Sequence, residues 1–177
     1  STVLVNSGVI YEGLTAVDKD LSIVPALAAS WTISPDGLTY VFTLRDNAMF
    51  HDGSTLRPED VIASFKRVID PATGSPYASR INMITEMKAT GPNELTVTLS
   101  APSAPLLSQL STIMIVPEAA ITGGVDLQKA PDGTGPFKFV EWVPDTYIAL
   151  ARNDGYWEAG LPKLDGVRFN IVPESST

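Results

Sequence analysis

Apolar and polar residues alternate with a period of two along residues 38–45, which is the pattern of a strand with one buried face. Before this segment, residues 35–37 read Pro-Asp-Gly, in which proline fixes one turn angle and glycine accepts a positive φ. The pattern therefore predicts a hairpin that pairs residues 31–34 with residues 38–45. The apolar face of its second strand consists of Tyr40, Phe42 and Leu44.

A second hairpin is predicted around the turn at residues 91–93, which read Gly-Pro-Asn. It joins residues 87–90 to residues 94–99, and in the latter the apolar side chains Leu95, Val97 and Leu99 alternate with threonine. The last third of the chain contains three more strand patterns, at residues 137–143, 147–151 and 166–172.

Between the two hairpins, residues 58–69 carry an apolar stripe with helical spacing. Pro58 suits the first helical position, and Asp70 ends the helix because a residue that precedes proline is displaced from the α region. A shorter helix is predicted at residues 104–110. Loops are predicted by composition at residues 71–79 and 123–135. The expected fold class is therefore α+β (mixed α/β), in which antiparallel strand pairs predominate.

Composition limits the kinds of molecule that this chain is expected to bind. The chain has 177 residues, of which 44% are hydrophobic, and its formal net charge is −8. This negative charge argues against binding to nucleic acid or to an anionic membrane surface, because both are also negatively charged. No apolar run reaches the ~20 residues of a transmembrane segment. The absence of cysteine excludes disulfides and thiolate metal sites. The chain begins at Ser1 without a leader and ends in polar residues, so we expect it to be processed or trimmed.

The sequence contains little evidence for a catalytic site or a metal site. His51 is the only histidine and follows a predicted strand, and no Gly-x-Ser-x-Gly motif accompanies it. Residues 18–22 begin like a calcium loop, but they lack its later glycine and acidic residue. We therefore expect no metal and no cofactor. A hydrolase that uses His51 remains an alternative hypothesis.

Two further segments have residues that could contact a ligand. Residues 133–137 read Gly-Thr-Gly-Pro-Phe, which favours a turn into the next strand over a phosphate loop, because proline removes a backbone donor. Most aromatic residues are expected to pack in the core. Tyr77 is the exception, since it lies in a loop rich in proline and glycine.

Several motifs occur in the order typical of one family. They are Tyr11-Glu12-Gly13-Leu14, residues 25–31, residues 34–40 with 42–45, Phe50-His51-Asp52-Gly53, Glu59-Asp60-Val61 with Ser64, residues 133–137, Asn153 with Tyr156-Trp157, and residues 169–173. Through these motifs the chain resembles the extracellular solute-binding proteins of the peptide and nickel ABC importers, known as family 5. Arg57 departs from the family pattern, because relatives usually carry a small hydroxyl or amide residue as the cap of the helix that begins at Pro58.

The resemblance implies a clamshell receptor of the periplasmic-binding-protein type II kind, of which this sequence is part of lobe I. Such a protein is not an enzyme. It holds a peptide or related small solute between two lobes and delivers it to ABC permease subunits, and it works in the periplasm or elsewhere outside the cell membrane, in some cases on a lipid anchor. The implied division places residues 1–29 and 133–177 in a sheet subdomain and residues 30–132 in an inserted subdomain.

The resemblance also implies where the solute binds. The segment before Tyr11 lines the cleft in relatives, Tyr77 matches an aromatic cleft residue of nickel-binding relatives, and the turn after the short helix at residues 104–110 approaches the cleft. A β-rich module that binds another protein through a sheet edge remains a further alternative. The expected substrate-binding residues are Leu4, Asn6, Ser7, Tyr77, Thr112 and Met114.

Overall fold

Short strands dominate the computed structural model, which describes residues 8–171. Its strands are β1 (Thr15–Val17), β2 (Ile23–Pro25), β3 (Ala28–Ile33), β4 (Thr39–Leu44), β5 (Ile84–Gly91), β6 (Glu94–Leu99), β7 (Phe137–Val143), β8 (Tyr147–Arg152) and β9 (Gly166–Asn170). Its helices are α1 (Pro58–Ile69), α2 (Ala78–Ile81), α3 (Leu106–Leu110) and α4 (Glu118–Thr122), and a 3₁₀ turn covers Pro71–Thr73. The mixed α/β class is confirmed.

The strands form three antiparallel sheets, with the orders β1-β2, β3-β4-β6-β5 and β7-β8-β9. Both predicted hairpins are confirmed, and in the first Gly37 adopts the positive φ of 70° that the turn requires. The alternation also holds, since Phe42 and Leu95 face each other across β4 and β6 and both are fully buried. Sequence periodicity thus determines which face of the four-stranded sheet is buried.

The main core lies against this buried face. α1 covers it with the apolar stripe that the helical spacing predicts, and Val61 and Phe65 are fully buried there. Ile81 of α2 and Leu106 and Leu110 of α3 join the same cluster. The two short helices are therefore anchored by packing on the core rather than by their own helical propensity.

The cap of α1 explains how Arg57 is tolerated at its N-terminus. The buried carboxylate of Asp60 accepts a hydrogen bond from the Arg57 backbone N–H at 2.8 Å, and its second oxygen accepts one from the Glu118 backbone N–H at 2.8 Å. The Ser64 hydroxyl accepts a third bond, from the Val116 N–H at 3.0 Å. One face of α1 therefore fixes the start of α4.

Several short elements differ from the sequence predictions. β1, β2 and α4 were not predicted, because three to five residues are too few to show a period. The segment expected to be a loop at residues 71–79 contains the 3₁₀ turn and the start of α2. Boundaries also shift, since α3 begins at Leu106 rather than at residue 104 and β9 ends at Asn170.

A second, smaller core packs against the three-stranded sheet. It joins Ile148 and Leu150 of β8 to Ile10, Tyr11 and Val116.

The structure does not break at the expected subdomain boundary between residues 29 and 30, because β3 runs from Ala28 to Ile33. The division into residues 1–29 and 133–177 against residues 30–132 stays a prediction. Within residues 8–171, none of the helices combines the length and the apolar character that crossing a membrane requires.

Candidate ligand-binding site

Two of the expected substrate-binding residues are brought together by a third residue. The Arg80 guanidinium lies over the Tyr77 ring, with its central carbon 4.6 Å from the ring centroid. Its Nη1 atom donates a hydrogen bond to the Thr112 hydroxyl at 2.7 Å. We call Tyr77, Arg80 and Thr112 the Arg80 cluster.

Local structure explains how the cluster forms. Tyr77 immediately precedes α2 and Arg80 is the third residue of that helix, and side chains three positions apart lie on the same helical side. Thr112 follows α3, where its hydroxyl donates to the Gln109 carbonyl oxygen at 2.7 Å. This bond leaves the oxygen lone pairs of Thr112 directed away from α3, so that they can accept from Arg80.

The cluster is partly accessible to solvent. All three side chains have intermediate exposure, and Tyr77 also packs against the main core. Arg80 forms no ion pair with a carboxylate in the part of the chain that the structure describes. An aromatic face, a cation and a hydroxyl group are thus held at one surface, where they can contact a small polar molecule.

Of the other expected residues, the structure describes Met114. Met114 is half-buried and packs against the second core. Leu4, Asn6 and Ser7 lie outside the described residues. A binding role for each of these four residues stays a prediction.

Sequence reasoning missed Arg80. The only signal in the sequence is a basic residue three positions after Tyr77, and residues 71–79 have the composition of a loop and show no helical spacing. The contact with Thr112 spans 32 positions of the chain, so it depends on the tertiary packing of α2 beside α3.

The family motifs meet at a second place, around Glu12. This carboxylate is only 8% exposed, and it accepts hydrogen bonds from the Thr134 hydroxyl at 2.9 Å, the Tyr156 hydroxyl at 2.7 Å and the Trp157 indole N–H at 2.9 Å. Burial raises the pKa of Glu12, and the three donors and the nearby Arg45 oppose that rise. Burial likewise raises the pKa of Tyr156.

Arg45 belongs to the same arrangement. Its guanidinium carbon lies 3.9 Å from the centroid of the Trp157 ring, and its Nε donates to the Ala26 carbonyl oxygen at 2.6 Å. Together with Glu12 it borders an open cavity of about 600 Å³. Because every oxygen of Glu12 is already paired with a protein donor, we interpret these residues as a structural junction between distant parts of the chain.

The Gly-Thr-Gly-Pro segment leads into β7, as the sequence predicted, and it also packs against the start of the described chain. The Gly135 N–H donates to the Ile10 carbonyl oxygen at 2.9 Å, so this turn lies directly against residues 9–11. A side chain at Gly133 would overlap the Ile10 carbonyl group. Glycine is therefore required by the close approach of two backbones.

His51 is tied to the same turn. Its Nε2 lies 2.9 Å from the Gly135 carbonyl oxygen, which makes Nε2 the protonated nitrogen of the neutral ring. Its buried Nδ1 has no hydrogen-bond partner among residues 8–171, so neither a hydroxyl nucleophile nor an orienting carboxylate contacts the ring there. The pKa of His51 is lowered, mainly because the ring is buried. In the same part of the chain, no group of three acidic or histidine residues is placed to hold a metal ion.

Comparison with known sequences identifies a family. Residues 22–177 match the model described as bacterial extracellular solute-binding proteins, family 5 Middle. The chain is 34% identical over 170 residues to the glutathione-binding protein GsiB of Pectobacterium atrosepticum, and the match covers 94% of this chain and 33% of that protein. The corresponding protein of Escherichia coli K12 is 32% identical over the same coverage.

Comparison with solved structures shows the same fold. The binding protein AgaA of A. tumefaciens R10, in complex with agropinic acid, has a TM-score of 0.88 and 33% identity, and the match covers 95% of this chain and 34% of AgaA. The oligopeptide-binding protein AppA of Bacillus subtilis, in complex with a nonapeptide, has a TM-score of 0.87 and 31% identity over 98% of this chain and 36% of AppA. The chain therefore spans about a third of the length of these relatives.

Proposed function

Because this chain belongs to the bacterial extracellular solute-binding proteins of family 5, we propose that it forms part of the first lobe of a receptor for an ABC importer. The receptor captures a peptide-like or related small solute outside the cell membrane, in the periplasm or on a lipid anchor, and delivers it to the permease subunits. A relative named for glutathione, and two similar structures in complex with agropinic acid and with a nonapeptide, support this class of solute. The proposal includes no catalytic step.

The Arg80 cluster is the observation that carries the proposal. The family resemblance implies cleft positions for Tyr77 and Thr112 from two different segments, and Arg80 contacts both. Each side chain is half-buried, Tyr77 packs against the main core, and Arg80 is held by its contacts with Tyr77 and Thr112, so the three groups are held in place before a solute arrives. The Tyr77 ring stacks on the solute, and Thr112 and Arg80 contact its polar groups.

The mechanism is closure of two lobes on the solute. The Arg80 cluster supplies contacts from one lobe, and the second set of contacts comes from the opposite lobe. Contacts with both lobes exist together only in the closed state, so the solute shifts the equilibrium towards closure. The permease then recognises a closed receptor that differs in shape from the open one.

Titration calorimetry on the receptor expressed from the complete reading frame tests this proposal. A pool of short peptides should yield at least one with micromolar or tighter binding, which corresponds to about −8 kcal/mol. Tyr77→Ala should weaken that binding about tenfold, the loss expected for one aromatic contact.

The matched control is Tyr147→Ala. Tyr147 also carries an arginine over its ring, with Arg168 at 3.6 Å, but it lies in β8, far from the Arg80 cluster along the sequence. This variant should bind like the parent. Equal losses for the two variants, or no binding of any peptide to the complete receptor, would contradict the proposal.

A further inference from the structure

We propose that Arg80 is an anchor for a carboxylate group of the solute, so that the receptor selects small solutes that carry at least one carboxylate. This inference rests on the proposed function, because it assigns a substrate class to the same site. Neither Tyr77 nor Thr112 distinguishes an anion from a neutral molecule, whereas a guanidinium does.

The geometry of Arg80 leaves one edge of its guanidinium available. Nη1 is engaged by the Thr112 hydroxyl, and one face of the group is covered by the Tyr77 ring. Nε and Nη2 donate to no protein acceptor in the part of the chain that the structure describes. These two nitrogens form one side of the guanidinium fork, and their parallel N–H groups match the two oxygens of a carboxylate.

The position of this edge is fixed by the rest of the cluster. Thr112 is itself held by its bond to the Gln109 carbonyl oxygen, so the Nη1 contact restrains the guanidinium against rotation. The stacked Tyr77 ring restrains the plane of the group. A donor pair that is oriented in advance loses little conformational entropy when it binds an anion.

The charge environment of Arg80 differs from that of two other arginines. Arg57 pairs with Glu118 at 3.5 Å, and Arg152 pairs with Asp154 at 2.8 Å and with Asp165 at 2.9 Å. Arg80 is half-buried, and no carboxylate in residues 8–171 pairs with it, although the chain has 20 acidic residues against 12 basic ones. A partly desolvated cation without a counter-charge favours an incoming anion over a neutral group.

The test uses two probes that differ in one group, a carboxylate in the first and a neutral amide in the second. The isotope-labelled chain of 177 residues is titrated with N-acetylglycine, which carries a carboxylate, and separately with N-acetylglycinamide, its neutral analogue. Amide and guanidinium N–H shifts are followed by nuclear magnetic resonance. The acid should perturb the Arg80 Nε–H and the Thr112 amide signals, with an apparent affinity at least about tenfold higher than that of the neutral analogue.

Three variants separate recognition from structure. Arg80→Gln should abolish the difference between acid and amide, and Arg80→Lys should retain only part of it, because lysine keeps the charge but loses the fork. Arg168→Gln, the matched control in β9, should leave the difference unchanged. Signals of Phe42 and Leu95 in the sheet show whether each variant is folded.

Two results would overturn the assignment. One is equal perturbation of the Arg80 and Thr112 signals by acid and amide in the parent chain, including no perturbation by either. The other is an acid preference that survives Arg80→Gln. Because this test does not depend on knowing the natural solute, its failure is distinct from failure of the calorimetric search on the complete receptor.

Discussion

Glu12 and Trp157 lie 145 positions apart in the chain and are joined by a hydrogen bond of 2.9 Å from the indole nitrogen to the carboxylate. Thr134 and Tyr156 donate to the same carboxylate. Each of these residues belongs to a different motif of the family resemblance, apart from the adjacent Tyr156 and Trp157. The motifs therefore mark a shared structural junction, while the candidate binding site lies elsewhere, at Arg80.

Replacing this carboxylate should destabilise the fold. Glu12→Ala removes the acceptor of three hydrogen bonds and leaves Thr134, a buried residue, without its partner. Because an unsatisfied buried polar group costs 1–3 kcal/mol, we expect the free energy of unfolding to fall by about 3 kcal/mol. Urea denaturation followed by tryptophan fluorescence measures this loss. Glu158→Ala, an exposed acidic residue at the same cavity, should stay within about 0.5 kcal/mol of the parent.

Gly133 should not accept even one methyl group. In Gly133→Ala the new carbon would lie 2.8 Å from the Ile10 carbonyl carbon and 2.8 Å from Cδ1 of Tyr11, and backbone atoms cannot move aside cheaply. We expect loss of folded protein or a large drop in melting temperature. Gly155→Ala provides the control, since its nearest neighbours would be 3.5 Å away. Comparable melting temperatures for the two variants would contradict the close packing of the turn on residues 9–11.

The stability of the chain should depend on the protonation of His51. Burial lowers the pKa of this ring below its ordinary value of 6.5, so the unfolded chain binds a proton more readily than the folded chain. The contribution of His51 is therefore fully present above pH 6.5 and is lost as the pH falls through the folded-state value.

Variant His51→Gln tests this sign, because glutamine can still donate to the Gly135 carbonyl oxygen. Unfolding free energies of parent and variant are measured by urea titration at pH values above and below 6.5. The advantage of the parent over the variant should shrink on acidification. An advantage that grows instead would show that the charged imidazole is favoured in the fold. The pKa of Glu12 is raised, so its proton remains bound to a higher pH in the folded chain than in the unfolded chain, and its effect on stability has the opposite pH dependence. Glu12 is present in both parent and variant, so this effect cancels in the comparison.

Asp60 should be more important for stability than its neighbour Glu59. Asp60→Ala removes the acceptor for the backbone N–H groups of Arg57 and Glu118, so both α1 and α4 lose a cap. The expected loss is about 2 kcal/mol in the free energy of unfolding. Glu59→Ala in the same helical turn should cost about 0.5 kcal/mol, the value of one charge near a helix N-terminus. Urea titration followed by circular dichroism measures the free energy of unfolding of both variants.

Elements with a clear period could be predicted from the sequence. α1 has the predicted bounds because proline opens it, Asp70 before proline ends it, and its apolar stripe faces the core. The faces of β4 and β6 follow directly from alternation. β1 and β2 escaped prediction because their three residues show no period, and their pairing depends on the packing of Leu14 and Leu27 in the main core.

The candidate site could be predicted only in part. Tyr77 and Thr112 came from the family resemblance, whereas Arg80 was hidden in a segment with loop composition. Its role depends on α2 and α3 lying side by side, which no local pattern encodes. Glu12 was likewise visible as a motif residue, but its three donors lie 122 to 145 positions further along the chain.

The account depends most on the claim that the solute is held between two lobes, of which these residues supply one set of contacts. The direct test compares the dissociation constant of one peptide for residues 1–177 alone and for the complete receptor, by titration calorimetry under identical conditions. We expect the chain alone to bind at least about a hundredfold more weakly, a difference of about 2.8 kcal/mol. Equal affinities would contradict the account, because the 177 residues would then hold the solute unaided.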